Sequence, residues 1–339
     1  MNNRIHHGTS KMTRDGKTLS VVIVNYDTWP DVLSQVEVLA RSSEIQNGTA
    51  EVIVVDNDSP SGLPPGRPCV QGIEWVDREE NGGFAAGVNA GWRRSRGEWV
   101  LLLNPDVVIK DDLLSHVLAL LDEIERRPGE ADTLPVGIVG IALHNPDGSR
   151  QPSVGAFPSV GRGFLELFLP RTRRRYQIVS PRKFGPVDWV TGAFFLVREE
   201  VMSQLGGFDE DFFLYFEETD FCLRARRGGW GTYFDPTLSV CHQNPLQNRV
   251  VSPKIRLLTR HSRLLYFRKN TSPYQYRIMM RLVRIEAEYR CLLARFRQRS
   301  RDSKVWTAVR DLVREFRRNA EPRGVAALRW AEAWCGEPR

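Results

Sequence analysis

Phe208-Asp209-Glu210-Asp211-Phe212-Phe213-Leu214-Tyr215-Phe216-Glu217-Glu218-Thr219-Asp220 is the stretch of the chain richest in reactive groups, with six carboxylates among five aromatic rings. A carboxylate walled by apolar groups loses hydration, its pKa rises, and it becomes a usable general base. Aromatic rings of this kind also stack on the faces of sugars. Glu217, Glu218 and Asp220 are therefore candidate catalytic groups. The first turn of a helix also favours acids through its dipole, so the block by itself leaves both readings open.

Two further carboxylates follow apolar, β-branched runs. Asp56, in Asp56-Asn57-Asp58-Ser59, could accept hydrogen bonds from a nucleobase N–H or a ribose hydroxyl, or simply form a turn. Asp106, in Asn104-Pro105-Asp106, cannot meet a diphosphate directly because two anions repel. A hard divalent cation, Mg²⁺ or Mn²⁺, would bridge the two and neutralise a departing diphosphate, although the same tripeptide also suits a plain turn. Asn25-Tyr26 follows a third such run. The segment from Asn81 through Gly82, Phe84 and Asn89 to Gly91 opens a helix with glycines, so its N–H groups could approach a nucleotide. It is not a GxGxxG and lies too far along the chain for a first βα turn, which disfavours a hydride-transfer site. His242 is either a metal ligand or an ordinary loop imidazole; the other histidines show no pairing.

These residues need a scaffold that brings them together. Leu19 to Val24, Val52 to Val55, Trp99 to Leu103 and Val136 to Leu143 read as buried strands. Helical patterns at Asp31 to Ala40, Ala85 to Arg96 and Leu113 to Arg127 fall between them. This alternation predicts a doubly wound, mainly parallel α/β sheet, whose ligands collect at the carboxyl ends of its strands. A second region runs from Val187 to Val197, through a helical start at Arg198 and a turn at Gly206-Gly207, to a helix over Glu217 to Arg227. Beyond about Val250 the pattern is helical, with Ile278, Leu282, Ile285, Tyr289, Leu292 and Phe296 at helical spacing among arginines.

With 339 residues and 41% hydrophobic content, the chain can bury a sizeable core. Its five cysteines have no CxxC spacing, so neither a disulfide framework nor a zinc site is expected, and a reducing, cytoplasmic setting fits. No apolar run approaches the ~18 residues of a membrane span, and residues 1 to 17 read as a disordered leader without a signal-peptide core. Charge is divided: residues 251 to 339 carry 22 Lys and Arg against 8 Asp and Glu, leaving the first 250 residues at −7. An anionic partner is expected for the tail alone. No nucleic-acid motif accompanies it.

Taken in order, VVIVNY (21 to 26), VVDNDS (54 to 59), ENGGFAAGVNAG (80 to 91), LLLNPDVVI (101 to 109), TGAFFLVREEV (191 to 201) and GGFDEDFFLYFEETDFCLRARRGGW (206 to 230) resemble the glycosyltransferase family 2 pattern, and its bacterial rhamnosyltransferase-like members in particular. The resemblance covers about residues 19 to 270. It implies a GT-A fold, an inverting mechanism and a divalent metal, with a catalytic domain over 18 to 270 and a basic helical extension over 271 to 339. It also implies roles. Asp56 would read the nucleoside within a donor site that includes Asn25, Tyr26, Asn57, Asn81, Gly82, Phe84, Asn89, Asn104 and Asp106. Asp106 would be the principal metal ligand, joined by His242. Glu218 would be the base, with Glu217 and Asp220 beside it, and Gly192, Ala193, Asp209 and Tyr215 would line the acceptor site.

Two positions depart from the family pattern. Asn104 stands where the family often has Asp, which lowers the charge offered to a cation. Glu218 replaces Asp and lengthens the base by about 1 Å, enough to matter for catalytic geometry. The implied substrates are dTDP-rhamnose and a glycan or lipid-linked glycan of the cell surface; a non-catalytic sugar-binding protein is the alternative. The tail, with Trp306, Trp330 and Trp334, would rest on anionic lipid at the inner face of the membrane, or pack on the core or on a second subunit of a homo-oligomer.

Overall fold

The computed structural model describes residues 16–64, 67–127, 133–167, 181–243 and 251–336; the expected leader lies, up to residue 15, outside the described residues. β1 (Leu19–Asn25) is apolar on both faces, which suits a strand covered from two sides. It pairs in parallel with β2 (Ala50–Asp56). Between them lie α1 (Trp29–Ala40) and the single turn α2 (Ser43–Gln46). β3 (Ile73–Asp77) extends the sheet beyond β2, and α3 (Phe84–Trp92) crosses back to β4 (Trp99–Leu103) on the other side of β1. The short β5 (Val107–Val108) precedes α4 (Leu113–Arg126) and β6 (Val136–His144).

The chain then runs through β7 (Arg150–Gln151), β8 (Val154–Gly155), α5 (Val160–Leu165), β9 (Gly185–Val187), β10 (Trp189–Val190) and β11 (Phe194–Arg198). α6 (Glu199–Leu205), α7 (Glu217–Arg227) and β12 (Gly231–His242) complete the α/β part. Among the described residues the sheet order is β3-β2-β1-β4-β11-β6-β12-β5, with β7 beside β6 and β9 beside β12. The sheet is mainly parallel, as expected. β11 runs antiparallel to both β4 and β6 in its interior.

Apolar layers cover both faces. On one, Val32, Val36 and Leu39 of α1 and Leu114, Val117 and Leu121 of α4 meet alternate side chains of β1, β2 and β4. On the other, Val88 of α3, Met202 of α6 and Phe221 of α7 meet Val22, Val55, Val100 and Leu102. Gly87 and Gly91 let α3 lie close to the sheet: a Cβ at either would stand 2.6 or 2.4 Å from a Val24 or Val22 methyl.

A third core is helical. α8 (Pro253–Asn270), α9 (Pro273–Phe296), α10 (Ser300–Arg318) and α11 (Val325–Cys335) pack around Leu264, Met279, Leu312 and Ala331. α9 starts on a capping box in which Ser272 and Gln275 satisfy each other's backbone N–H groups. Phe212 and Phe213 of the acidic block are buried in this helical core, which therefore sits directly on that block. Trp306, expected at an interface, is buried there too. No helix among the described residues is long and apolar enough to cross a membrane.

Candidate active site

Parallel register sets Asn25 of β1 opposite Asp56 of β2. The Asn25 amide donates to Asp56 Oδ1 at 2.8 Å and to Ser59 Oγ at 2.9 Å, while its own oxygen accepts from the Thr28 N–H at 3.0 Å. Asp56 Oδ1 also accepts from Ser59 Oγ at 2.5 Å, and Oδ2 from the Ser59 N–H at 3.2 Å. Asp56 is thus a turn former and a buried carboxylate fixed at a strand end. Tyr26 beside it is exposed.

Asn57 carries the frame onward by donating to Asn81 Oδ1 at 2.9 Å and to the Gly83 carbonyl at 3.0 Å. Gly83 has φ +85°, and a Cβ there would lie 2.1 Å from the Phe213 carbonyl oxygen, which accepts from the Phe84 N–H at 3.1 Å. This glycine admits the chain's own acidic block, a role different from the ligand approach read from the sequence. Gly82 is closed in as well, since a Cβ there would meet the Arg78 guanidinium at 2.6 Å. Asn89, expected among the donor contacts, accepts from the Phe208 N–H at 2.8 Å. Its amide nitrogen donates to the Phe208 carbonyl at 2.9 Å and to Glu210 at 2.8 Å. The Phe84 ring lies beside Gly192, where a Cβ would come within 3.3 Å of it.

Ala193 passes the connection on, its carbonyl accepting from the Asn104 N–H at 3.0 Å. From there Asn104-Pro105-Asp106 turns into β5, held by the buried Gln35 amide, which donates to the carbonyls of Asn104 at 2.9 Å and Val107 at 2.6 Å. β5 pairs with the end of β12, Val107 opposite His242, and the Gln243 N–H donates to the Asp106 carbonyl at 2.8 Å. Two side chains 136 positions apart thereby converge: His242 Nε2 stands 3.1 Å from Asp106 Oδ1. The other ring nitrogen, Nδ1, faces the buried Gln151 amide, 2.9 Å from its nitrogen and 3.2 Å from its oxygen. Neither Gln151 nor Gln35 carried a sequence signal beyond being polar near apolar positions. Among the described residues no group of three or more His, Cys, Asp or Glu is gathered for a metal ion. Asp106 and His242 are a carboxylate and an imidazole at the sheet edge, a donor pair that suits a divalent cation completed by ligands from a bound diphosphate.

The acidic block arrives through backbone that few side chains adopt. Tyr215 and Phe216 have φ of +69° and +71°, consecutive left-handed residues at a cost of about 1–3 kcal/mol each. Ser262 Oγ of α8 donates to the Leu214 carbonyl at 2.7 Å, and the Phe216 ring packs on Tyr266, which holds the kink from the helical side. α7 then begins at Glu217, and Glu217 and Glu218 are both buried in its first turn. Asp220 is engaged on both oxygens, by Arg224 Nε at 2.7 Å and by the Asn270 amide at 2.7 Å. Asp209 and Asp211 share the Lys269 ammonium, with Asp211 also 3.3 Å from Arg323. One turn along α7, burial pushes the Cys222 thiol up to about 12, so it stays protonated and unreactive.

The donor-side and metal-side candidates are thus linked by contacts into one rim, while Glu217, Glu218 and Asp220 lie buried in the first turn of α7. Asp56 leads through Asn57 to Gly83, Phe84 and Phe213, and Phe84 leads through Gly192 and Ala193 to Asn104, Asp106 and His242. The sequence profile of glycosyltransferase-like family 2 matches residues 16–263 of the chain. The chain belongs to this family. This family 2 glycosyltransferase has the GT-A arrangement that its motifs implied, with the loops after β1, β2 and β4 at one edge of a mainly parallel sheet.

It is similar to the N-acetylglucosaminyl-diphospho-decaprenol L-rhamnosyltransferase of Mycobacterium tuberculosis, 30% identical over 246 residues that cover 66% of this chain and 75% of that one. The low-salt glycan biosynthesis hexosyltransferase Agl10 of Haloferax volcanii is 32% identical over 219 residues, covering 62% of each chain. Among solved structures, the mannosyltransferase PcManGT from Pyrobaculum calidifontis, in complex with GDP-Man and Mn²⁺, superposes over 94% of this chain and 83% of its own, with 15% identity and a TM-score of 0.46.

Proposed function

We infer that this glycosyltransferase moves rhamnose from dTDP-rhamnose to a lipid-linked glycan acceptor, inverting the anomeric centre, with a divalent cation at Asp106 and His242. The observation that carries the reading is the 3.1 Å approach of His242 Nε2 to Asp106 Oδ1 on the rim that also holds Asp56. Likeness to the decaprenol-linked rhamnosyltransferase supports the sugar and the lipid-linked acceptor. Five scattered cysteines without CxxC spacing suit the cytoplasmic side, where the chain would meet its donor.

In this reading Asp56 accepts the N–H of the donor's base, fixed in place by Asn25 and Ser59, and the diphosphate lies toward Asp106. Where Gln151 turns its oxygen to His242, Nδ1 keeps the proton and Nε2 presents a lone pair. A bound cation would supply charge neutralisation of the departing diphosphate. Glu218 takes the proton of the acceptor hydroxyl, that oxygen forms a bond to the anomeric carbon, and the bond from that carbon to the β-phosphate oxygen breaks with its electron pair leaving on dTDP. Gly192, Ala193 and Tyr215 would line the acceptor. Asp209, bound to Lys269, and Asp220, bound to Arg224 and Asn270, act by holding the block.

Glu218→Gln should leave dTDP binding by calorimetry within a few-fold of the parent and abolish transfer in a coupled assay of released dTDP. Unchanged turnover would move the base to Glu217. Asp106→Ala should abolish metal-dependent transfer, and full retention would remove the cation from the account.

A further inference from the structure

α9 carries two apolar faces, and the helical core uses only one. Met279, Met280, Val283, Ala287, Cys291 and Ala294 are buried against the other helices. Ile285, Tyr289, Leu292 and Phe296 are 55%, 62%, 65% and 88% exposed. Their spacing of four, three and four residues places them on a single stripe, and the exposed Tyr274 falls on the same stripe three turns earlier. A helix packed on a core in water has no need of a second apolar stripe, and large exposed apolar patches mark interaction surfaces.

The charge around the stripe identifies what it meets. Arg277, Arg281, Arg284 and Arg295 are exposed and run along one edge of it at helical spacing, and Arg297 and Arg299 follow just beyond. Of the two acids on α9, Glu286 is buried and bound to Arg260, and Glu288 is held by Arg284. α5, which packs against α9 near Met279, adds the exposed Phe164 and Leu165. A second copy of this chain docked stripe to stripe would bring arginine rows against each other. An anionic bilayer surface matches both features, taking up apolar side chains while phosphate headgroups face the guanidinium groups.

We propose that the outer face of α9 is a membrane-interfacial surface, with Ile285, Tyr289, Leu292 and Phe296 inserted at the headgroup level of an anionic leaflet and Arg277, Arg281 and Arg295 on its phosphates. The inference stands apart from the donor and acceptor assignments, since none of these residues belongs to the rim. α9 is the element of the helical extension that docks.

Co-sedimentation of the full chain with vesicles of phosphatidylglycerol and phosphatidylcholine in equal parts, against pure phosphatidylcholine, tests it. The anionic vesicles should bind at least about tenfold more tightly, as about fivefold per arginine implies, and added salt should erode the difference. Leu292→Ser with Phe296→Ser should weaken binding about tenfold or more with the thermal unfolding midpoint unchanged. Arg277→Gln with Arg281→Gln and Arg295→Gln should remove the preference for anionic lipid. No binding, equal binding to both vesicles, or variants that bind as the parent does would overturn the proposal. So would a lipid-free dimer, seen by sedimentation velocity, that the Leu292→Ser and Phe296→Ser pair splits, because the face would then belong to a second copy.

Discussion

Gln151→Leu is a sensitive perturbation of the Asp106–His242 pair because it leaves both proposed ligands in place and changes only the partner of the imidazole. In the folded chain the Gln151 amide oxygen lies 3.2 Å from His242 Nδ1 and both side chains are almost fully buried, so no water replaces the lost partner readily. Leucine of similar size leaves Nδ1 without an acceptor for its proton, and the ring then favours the tautomer that places the proton on Nε2, against Asp106. Groups that hydrogen-bond the far nitrogen of a ligating imidazole are worth about tenfold to hundredfold in metal affinity, or ~1.4–2.8 kcal/mol. The complementary change, Gln151→Glu, supplies a carboxylate that accepts from Nδ1–H and should hold or tighten the site. Titrating Mn²⁺ into each protein in saturating dTDP, followed by calorimetry, reads the difference directly. The same titration without dTDP should give weak binding throughout, since Asp106 and His242 offer only two protein ligands. If Gln151→Leu and Gln151→Glu both bind Mn²⁺ with parental affinity, the imidazole does not ligate the cation and the reasoning fails.

Other consequences are as direct. Gly83→Ala forces a Cβ to 2.1 Å from the Phe213 carbonyl at a φ that suits glycine, and should destabilise the chain by about 2–4 kcal/mol in urea unfolding while lowering kcat more than it raises the donor KM. Asp56→Ala removes the acceptor shared by Asn25 and Ser59, and donor affinity should fall by about 1–3 kcal/mol in a dTDP titration, with metal binding little changed. His261, buried in the helical core with Nε2 donating to the Pro322 carbonyl, has its pKa lowered from 6.5 to about 4, chiefly by burial. The folded chain therefore takes up that proton less readily than the unfolded one. The stability His261 confers is complete above pH 6.5 and is lost as pH falls through about 4, by about 3 kcal/mol in all. A His261→Leu chain should show a shallower loss of thermal stability over that range.

The elements that were legible in the sequence are those whose local composition decides their state. Leu19–Asn25 and Ala50–Asp56 each carry an unbroken β-branched run, Val21 to Val24 and Val52 to Val55, and their ends present Asn25 and Asp56 wherever they sit in a parallel sheet. Ile73–Asp77 mixes two acids with a tryptophan on a partly exposed strand, so no period marks it as β3. The direction of β11 was hidden because a run such as Phe-Phe-Leu-Val-Arg is equally apolar read either way; only its neighbours β4 and β6 set it antiparallel. Asp106 and His242 were recognisable by type, but their approach depends on two residue pairs between β5 and β12. Lys269 and Asn270, which hold Asp209, Asp211 and Asp220, lie 50 to 60 residues further on, where they look like any helix C-terminus. In α9 the periodic stripe was visible, and the burial of the opposite face shows that it points outward.

Phe213 belongs to two neighbourhoods at once: its ring lies in the helical core, and its carbonyl takes the first N–H of α3. A tail of this construction cannot be exchanged like a detachable module. Cutting before α8 would bare the Phe212 and Phe213 rings and release the Leu214 carbonyl from Ser262, and the loosened loop would pull at the glycine turn on the far side. Chimeras that transplant the tail between relatives would keep a working enzyme only if residues 208 to 220 travel with it.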